Sequence, residues 1–139
     1  MYSPTREQVR DTFFATWRKY RAGEPLEGIE AMVLEAILAH PEYHALLDHP
    51  ARFREKDYTD ETNPFLHMSL HLALAEQLSI DQPPGIVGLV DVLLSRHERH
   101  EALHAAIECL AETVWRAQRE GRPPDAAAYL DCLRAKSAL

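Results

Sequence analysis

The sequence predicts an all-α fold, a single-domain bundle of four main helices with short accessory helices. Three observations support this prediction. Apolar residues recur every three or four positions along most of the chain, β-branched residues are few, and no alternating apolar and polar run occurs. Because 139 residues are enough to bury a core, we expect one helical domain over residues 1–139.

Two helices are predicted before His40. The first begins at Ser3–Pro4, a cap followed by a first-turn proline, and ends at Gly23. The second runs from about Leu26 to Ala39. Each has an apolar stripe at helical spacing that should face the core: Val9, Phe13, Trp17 and Tyr20 in the first, and Leu26, Ile29, Val33 and Ile37 in the second.

A junction and a loop are predicted next. His40 precedes a proline, and a residue in that position is pushed out of the α-helical region. Pro41 suits the first position of a short helix that continues through Leu47. The stretch from Arg52 to Glu61 is charged and has no clean period, so we expect a surface loop there.

The central helix is predicted over Asn63–Leu78. Asn63 is a suitable N-cap, and the proline after it suits the first helical position. At about 100° per residue, His67 and His71 share the mostly apolar side of the helix, and Glu76 lies on the other side. The two imidazoles are therefore expected to point inward, where each needs a hydrogen-bond partner or a metal ion.

Three further helices are predicted after residue 84. The first covers about 85–95, the second ends at Gly121 after a break placed between Ser95 and Glu98, and the third covers 125–136. The break is expected because one helix of about 35 residues would be unusually long for a globular domain. Residues predicted to face inward include Ile86, Leu93, Leu103, Ile107, Leu110, Val114, Trp115, Ala128, Tyr129 and Leu133.

Charge and composition narrow the possible partners. The net charge is −7, the pI is near 5.6, and the basic residues are scattered. Nucleic acid and membrane are therefore excluded as expected partners, because both favour clustered Lys and Arg. A protein partner or a homo-oligomer is compatible with this surface.

The expected compartment is the cytoplasm. The N-terminus lacks the apolar run of a signal peptide, and no stretch approaches the roughly 20 apolar residues of a membrane-spanning helix. The two cysteines, Cys109 and Cys132, lie on predicted helices and form no C-x-x-C motif. We therefore expect reduced thiols and no disulfide.

Eight histidines are many for so short a chain, and several are spaced for metal binding. Residues at i and i+4 share one face of a helix, so H-x-x-x-H is a good chelating unit. His67 and His71 form one such pair, and His100 and His104 form a second. Glu108 adds a carboxylate one turn further on. Ligands on separate helices would have to converge in the interior of the bundle.

The remaining candidate ligands rank lower. His40 and His44 have the same spacing, but a proline between them breaks the helical geometry. On the long helix, His100 lies within about 50° of the apolar centre, His104 at about 90° and Glu108 at about 130°. Glu108 therefore leans toward the rim, where it would serve as a ligand or accept an N–H from a ligating imidazole.

A transition metal ion is the expected cofactor, with iron and zinc as the leading candidates among the metals that imidazole suits. An open coordination position would allow hydrolysis, oxygen binding or redox sensing, and the sequence leaves open whether the protein is an enzyme. Two alternatives also stay open. One is a non-enzymatic interaction module with structural buried histidines, and the other is a pH-responsive helical module that uses the clustered imidazoles.

Parts of the sequence resemble a family of small bacterial proteins catalogued only as a domain of unknown function. The resemblance spans nearly the whole chain and implies no activity. The stretches that carry it are Ala39–His44, Asn63–His67, Glu76–Gly85 and His104–Gly121.

A second, weaker similarity is to hemerythrin-type di-iron helix bundles. Their ligands come as H-x-x-x-H and H-x-x-x-E on neighbouring helices, and the matching positions here are His67/His71 and His104/Glu108. The chain departs from that pattern because it lacks a second acidic bridge in a comparable place. What this similarity implies is a metal site inside a helical bundle.

Overall fold

The computed structural model describes residues 5–59 and 62–138, which form helices, turns and loops without a strand. The all-α prediction is confirmed. The contacts divide the chain into two compact units, one that ends at Leu72 and one that begins at Ala73. The predicted four-helix bundle is not confirmed, and the single domain stays a prediction. No helix among the described residues is long and apolar enough to cross a membrane.

The first helix, α1 (Arg6–Ala22), begins with a capping box. Thr5 Oγ1 accepts the backbone N–H of Gln8 at 3.1 Å, and Gln8 Oε1 accepts that of Thr5 at 2.8 Å. The helix ends at Gly23, as predicted, where φ is 71°. The predicted start at Ser3–Pro4 lies outside the described residues.

The second helix, α2 (Glu30–Leu38), starts later than the predicted Leu26. Gly28 has a φ of 57°, a left-handed conformation that cannot continue an α-helix, so the helix begins after it. A 3₁₀-helix (Pro41–Tyr43) and the short α3 (His44–Leu47) follow, where one short helix was predicted.

The predicted loop between residues 52 and 61 is wrong at its start. Arg52 belongs to a further short helix, α4 (Pro50–Phe53), because a proline again occupies a first helical position. His49 before it has φ −128° and ψ 64°. The described residues 54–59 form no helix, and the end of the predicted loop, Glu61, lies outside the described residues.

The central helix, α5 (Pro64–Ile80), confirms the predicted start and ends two residues later than predicted. Asn63 Oδ1 accepts the backbone N–H groups of Phe65 and Leu66 at 3.0 and 3.2 Å, which satisfies two donors of the first turn. In the first unit, the start of α5 packs with α1, α2 and α3 around one apolar core. That core contains Phe13, Phe14, Trp17, Val33, Ala36, Ile37, Leu47, Phe65 and Met68.

The second unit contains α6 (Ile86–Arg96), α7 (Arg99–Glu120) and α8 (Ala126–Ser137). The predicted break before α7 is confirmed at His97, whose ψ of 160° interrupts the helical backbone. Asp125 caps α8 by accepting the Ala128 N–H at 3.0 Å. Buried apolar residues of this unit include Ile86, Val90, Leu93, Ile107, Leu110, Tyr129 and Leu133.

Two predictions for α7 are wrong. Trp115 was expected in the core but is 54% exposed, with the Arg119 guanidinium 4.5 Å from its ring centroid. The buried residues of α7 include several small ones, among them Ala102, Ala106 and Cys109. One of them, Cys109, forms a disulfide with Cys132 of α8, where thiols were expected. Their Cα atoms are 5.7 Å apart, a normal separation for a disulfide.

Candidate metal centre

Backbone geometry at a helix junction brings His40 into the interior of the first unit. The proline that follows it excludes the α-helical conformation, and His40 has φ −129° and ψ 75°. The chain therefore turns between α2 and the 3₁₀-helix, and the imidazole is only 3% exposed. The proline that lowers the rank of His40 among the predicted ligands is therefore compatible with a buried ring.

The other two imidazoles come from one face of α5. Phe65 and Met68, which are 3% and 0% exposed, anchor the first two turns of the helix in the core of the first unit. That anchoring fixes the rotation of α5 about its axis. His71 is consequently buried and His67 half-buried, as the helical angle predicted.

The three rings meet through their Nε2 atoms. Nε2 of His40 lies 2.9 Å from Nε2 of His71 and 3.0 Å from Nε2 of His67. The ring centroids are 4.5 to 4.9 Å apart, and each pair is inclined edge to face. The rings therefore point their edges at a common volume and do not stack on one another.

Two neighbours hold the His40 ring in place. Nδ1 of His40 lies 2.8 Å from Oε2 of Glu42, and because a carboxylate only accepts, this nitrogen carries a proton and donates it. The Tyr43 ring stacks on the imidazole with a centroid distance of 5.1 Å and an interplanar angle of 17°. Burial raises the pKa of the Tyr43 phenol, which keeps this neighbour uncharged at neutral pH.

The proton on Nδ1 determines what Nε2 of His40 can do. In the neutral ring, Nε2 has one lone pair, and that lone pair faces two other ring nitrogens. Both short N···N contacts therefore share this single acceptor lone pair. A metal ion at the common volume would accept lone pairs from all three rings at once.

The N···N distances agree with such a centre. Ligand nitrogens bound tetrahedrally at about 2.0 Å would lie roughly 3.3 Å apart. The two measured distances, 2.9 and 3.0 Å, fall a few tenths of an ångström below that separation. A small outward movement of the rings would accommodate a first-row transition metal, and Glu42 already supplies the carboxylate that commonly orients a ligating imidazole.

Of the other predicted ligands, His44 belongs to the first unit, and His100, His104 and Glu108 belong to the second. Nε2 of His44 lies 2.8 Å from the carbonyl oxygen of Ile37, and the centroid of its ring lies 4.4 Å from that of Trp17. In the second unit, the rings of His100 and His104 are 4.0 Å apart on α7, with His100 exposed and His104 half-buried. Glu108 is exposed and accepts a hydrogen bond from Lys136 Nζ at 2.6 Å.

Helical spacing in the sequence does not predict the parts that two residues have in this site. His40 was ranked behind His100 and His104, whereas it is the ring that both α5 histidines contact. Glu42 was given no role, although its position two residues after His40 in the His-Pro-Glu run was the available signal. A 3₁₀ turn after the proline is what brings this carboxylate back to Nδ1.

Comparison with known proteins identifies one family. A model of a domain of unknown function (DUF1841) matches residues 5–135, nearly the whole chain. No curated protein and no solved structure matches. The earlier likeness to hemerythrin-type bundles is not supported by these comparisons.

Proposed function

We propose that this chain, which belongs to the family of DUF1841, a domain of unknown function, binds a transition metal ion. The proposed ligands are His40, His67 and His71. The proposal depends on the convergence of three Nε2 atoms. Nε2 of His40 lies 2.9 Å from that of His71 and 3.0 Å from that of His67. His40 and His71 are buried and His67 is half-buried, and their Nε2 atoms already lie close together, so a cation would find ligands that need no large rearrangement.

The donor chemistry selects the class of metal. Imidazole nitrogen suits iron, zinc, copper and nickel better than calcium or magnesium, which prefer oxygen. Iron or zinc is our first proposal. With three protein ligands, a further coordination position would be available for water or a small molecule, which supports a redox or sensing role.

His104 stays a ligand that is predicted from the sequence alone. His104 lies four residues after His100 on α7 and is the less exposed of the two. It ranks after the three histidines of the first unit. His44, His100 and Glu108 stay lower, because His44 faces a backbone carbonyl and Glu108 faces Lys136.

Elemental analysis of tag-free protein tests the proposal. We expect about one equivalent of a single transition metal, and a lower melting temperature after chelation, because a ligand that binds only the folded state stabilises it. At a free metal concentration of 100 times Kd, the stabilisation would be about 2.7 kcal/mol. Metal well below one equivalent together with unchanged melting after chelation would refute the proposal and favour an interaction module with structural histidines.

A matched pair of variants assigns the metal to the site. His40 and His49 each precede a proline and have nearly the same backbone angles, but His40 is buried and His49 exposed. We expect His40→Ala to lose the metal and His49→Ala to retain it. Equal metal content in the two variants would place the metal elsewhere. If stability changes between pH 5 and 7 in the same way with and without metal, the pH-responsive alternative is favoured.

A further inference from the structure

The second unit contains a cleft that is lined by one of the two cysteines of the disulfide. The cleft has a volume of about 330 Å³ and is formed by α7, α8 and the turn between them. Cys132 lines it, whereas Cys109 is absent from its lining and is 0% exposed. The charged groups of the lining are the carboxylates of Glu112, Glu120, Asp125 and Asp131 and the guanidinium groups of Arg116 and Arg122.

The two cysteines therefore differ in how a reagent can approach them. Thiol–disulfide exchange requires a thiolate to approach the sulfur that it attacks, so access decides which of two sulfurs reacts. Cys132 is half-buried and borders the cleft, while Cys109 lies on the inner face of α7 with its backbone carbonyl bonded to Thr113 Oγ1 at 2.8 Å.

We propose that Cys132 is a modification site for small cationic aminothiols. The thiolate of the aminothiol attacks Sγ of Cys132, and a new S–S bond forms between them. The bond between Cys132 and Cys109 breaks, and its electron pair leaves with Cys109, which then takes a proton from water. No external oxidant or reductant is consumed, because one disulfide replaces another.

The charge of the cleft selects the class of thiol. Four carboxylates face two guanidinium groups, and each guanidinium already pairs with a carboxylate of the lining. Arg116 pairs with Glu112 at 2.8 Å, and Arg122 pairs with Glu120. Of the other two carboxylates, Asp131 pairs with Arg134 at 2.8 Å, and Asp125 accepts the N–H that caps α8. The lining still has two more carboxylates than guanidinium groups, so it attracts a cation and repels an anionic thiol such as glutathione.

Trapping the exchange in the wild-type protein tests the site. The oxidised protein is treated with cysteamine and then unfolded in guanidinium chloride that contains excess N-ethylmaleimide, which alkylates the released thiol. Both cysteine peptides are then analysed by mass spectrometry. We expect cysteamine on Cys132 and the maleimide on Cys109. The proposal would be overturned by the reverse pattern or by an even distribution of the two labels. It would also be overturned if the protein, before any treatment with a thiol, contained two free thiols and no disulfide.

Single-cysteine variants provide a second measurement that does not depend on a transient intermediate. Cys109→Ser leaves only Cys132, and Cys132→Ser leaves only Cys109. Given equal helicity by circular dichroism, we expect Cys132 to react with cystamine about tenfold faster than Cys109, because only the former borders the cleft. Equal rates, or a faster Cys109, would overturn the assignment.

The charge preference is tested on the Cys109→Ser variant. We expect its rate with cystamine to exceed that with neutral hydroxyethyl disulfide and with anionic glutathione disulfide, and the difference to shrink at 1 M salt. Asp131→Asn should reduce the preference, whereas Asp91→Asn, an exposed carboxylate of α6 outside the lining, should not. Equal rates for the three disulfides would overturn the cationic class.

Discussion

His40 combines a backbone role with a side-chain role. It occupies the junction that follows α2, before a proline, and its imidazole lies in the core, where it contacts both histidines of α5. His49 occupies the same kind of junction but stays exposed. The difference lies in what surrounds each ring, so local sequence alone does not distinguish a ligand from a surface histidine.

Glu42 is expected to tune the site without being a ligand itself. Its carboxylate keeps the His40 proton on Nδ1, which leaves Nε2 as the metal-binding nitrogen. Glu42→Ala should therefore weaken zinc binding by roughly 10- to 100-fold, the usual effect of losing such an orienting group. Competition titration with a zinc indicator measures it.

The control for this prediction is Glu35→Ala, which removes an exposed carboxylate of α2 without touching His40. It should leave zinc affinity unchanged. If the Glu42 variant binds zinc as tightly as the Glu35 variant does, the carboxylate does not orient the ligand.

At the scale of elements, α5 depends on a buried arginine in α1. The guanidinium of Arg10 is almost fully buried, and its Nη1 donates to the carbonyl oxygens of Phe53, Arg54 and Lys56. It also lies 4.7 Å from the ring centroid of Phe65, at the start of α5. Burial lowers the pKa of Arg10, but the group stays charged, and it anchors the segment before α5 to the core from which His67 and His71 extend.

The turn before α6 makes a testable contribution to acid stability. Asp81 accepts the backbone N–H groups of Gly85 and Val87, and these hydrogen bonds hold the pKa of its carboxyl below the usual value. A carboxyl with a lowered folded-state pKa stabilises the fold above its unfolded pKa of about 3.9, and this stability is lost as the pH falls toward the folded pKa. Asp81→Asn should therefore flatten the fall in stability between pH 5 and 3.

Urea unfolding across that pH range measures the effect. Asn suits this position because, like Asp, it tolerates the left-handed backbone of residue 81, where φ is 50°. Asp91→Asn serves as the control, since Asp91 is exposed on α6. If the free energy of unfolding falls with pH as steeply in the Asp81 variant as in the wild type, the hydrogen bonds of Asp81 do not contribute to acid stability.

For the whole molecule, the disulfide is expected to be a main source of stability in the second unit. It joins residues separated by 23 positions, and closing a loop of that size removes conformational freedom from the unfolded chain. Reduction, or the double replacement of both cysteines by Ser, should lower the free energy of unfolding by about 3 kcal/mol. Chemical denaturation with and without a reductant measures the change.

The double variant also supplies the control, because a reductant should not alter its stability. The fold itself should persist without the bond. Tyr129 and Leu133 of α8 are buried, Tyr129 donates to Gln77 Oε1 at 2.7 Å, and Lys136 bonds Glu108. Loss of all α8 helicity on reduction would show that the disulfide, and not this packing, holds the helix.

The sequence by itself determined the helical class, the caps at Asn63 and Gly121, the break at His97 and the inward direction of His67 and His71. These features depend on residues close together in the chain, where periodicity and capping chemistry act. Only the tertiary structure decided that His40 completes the three-ring contact, that Cys109 meets Cys132, and that Trp115 stays outside. Each of these depends on which helix faces lie against one another, and helical periodicity fixes the direction of a side chain but not the partner that it meets.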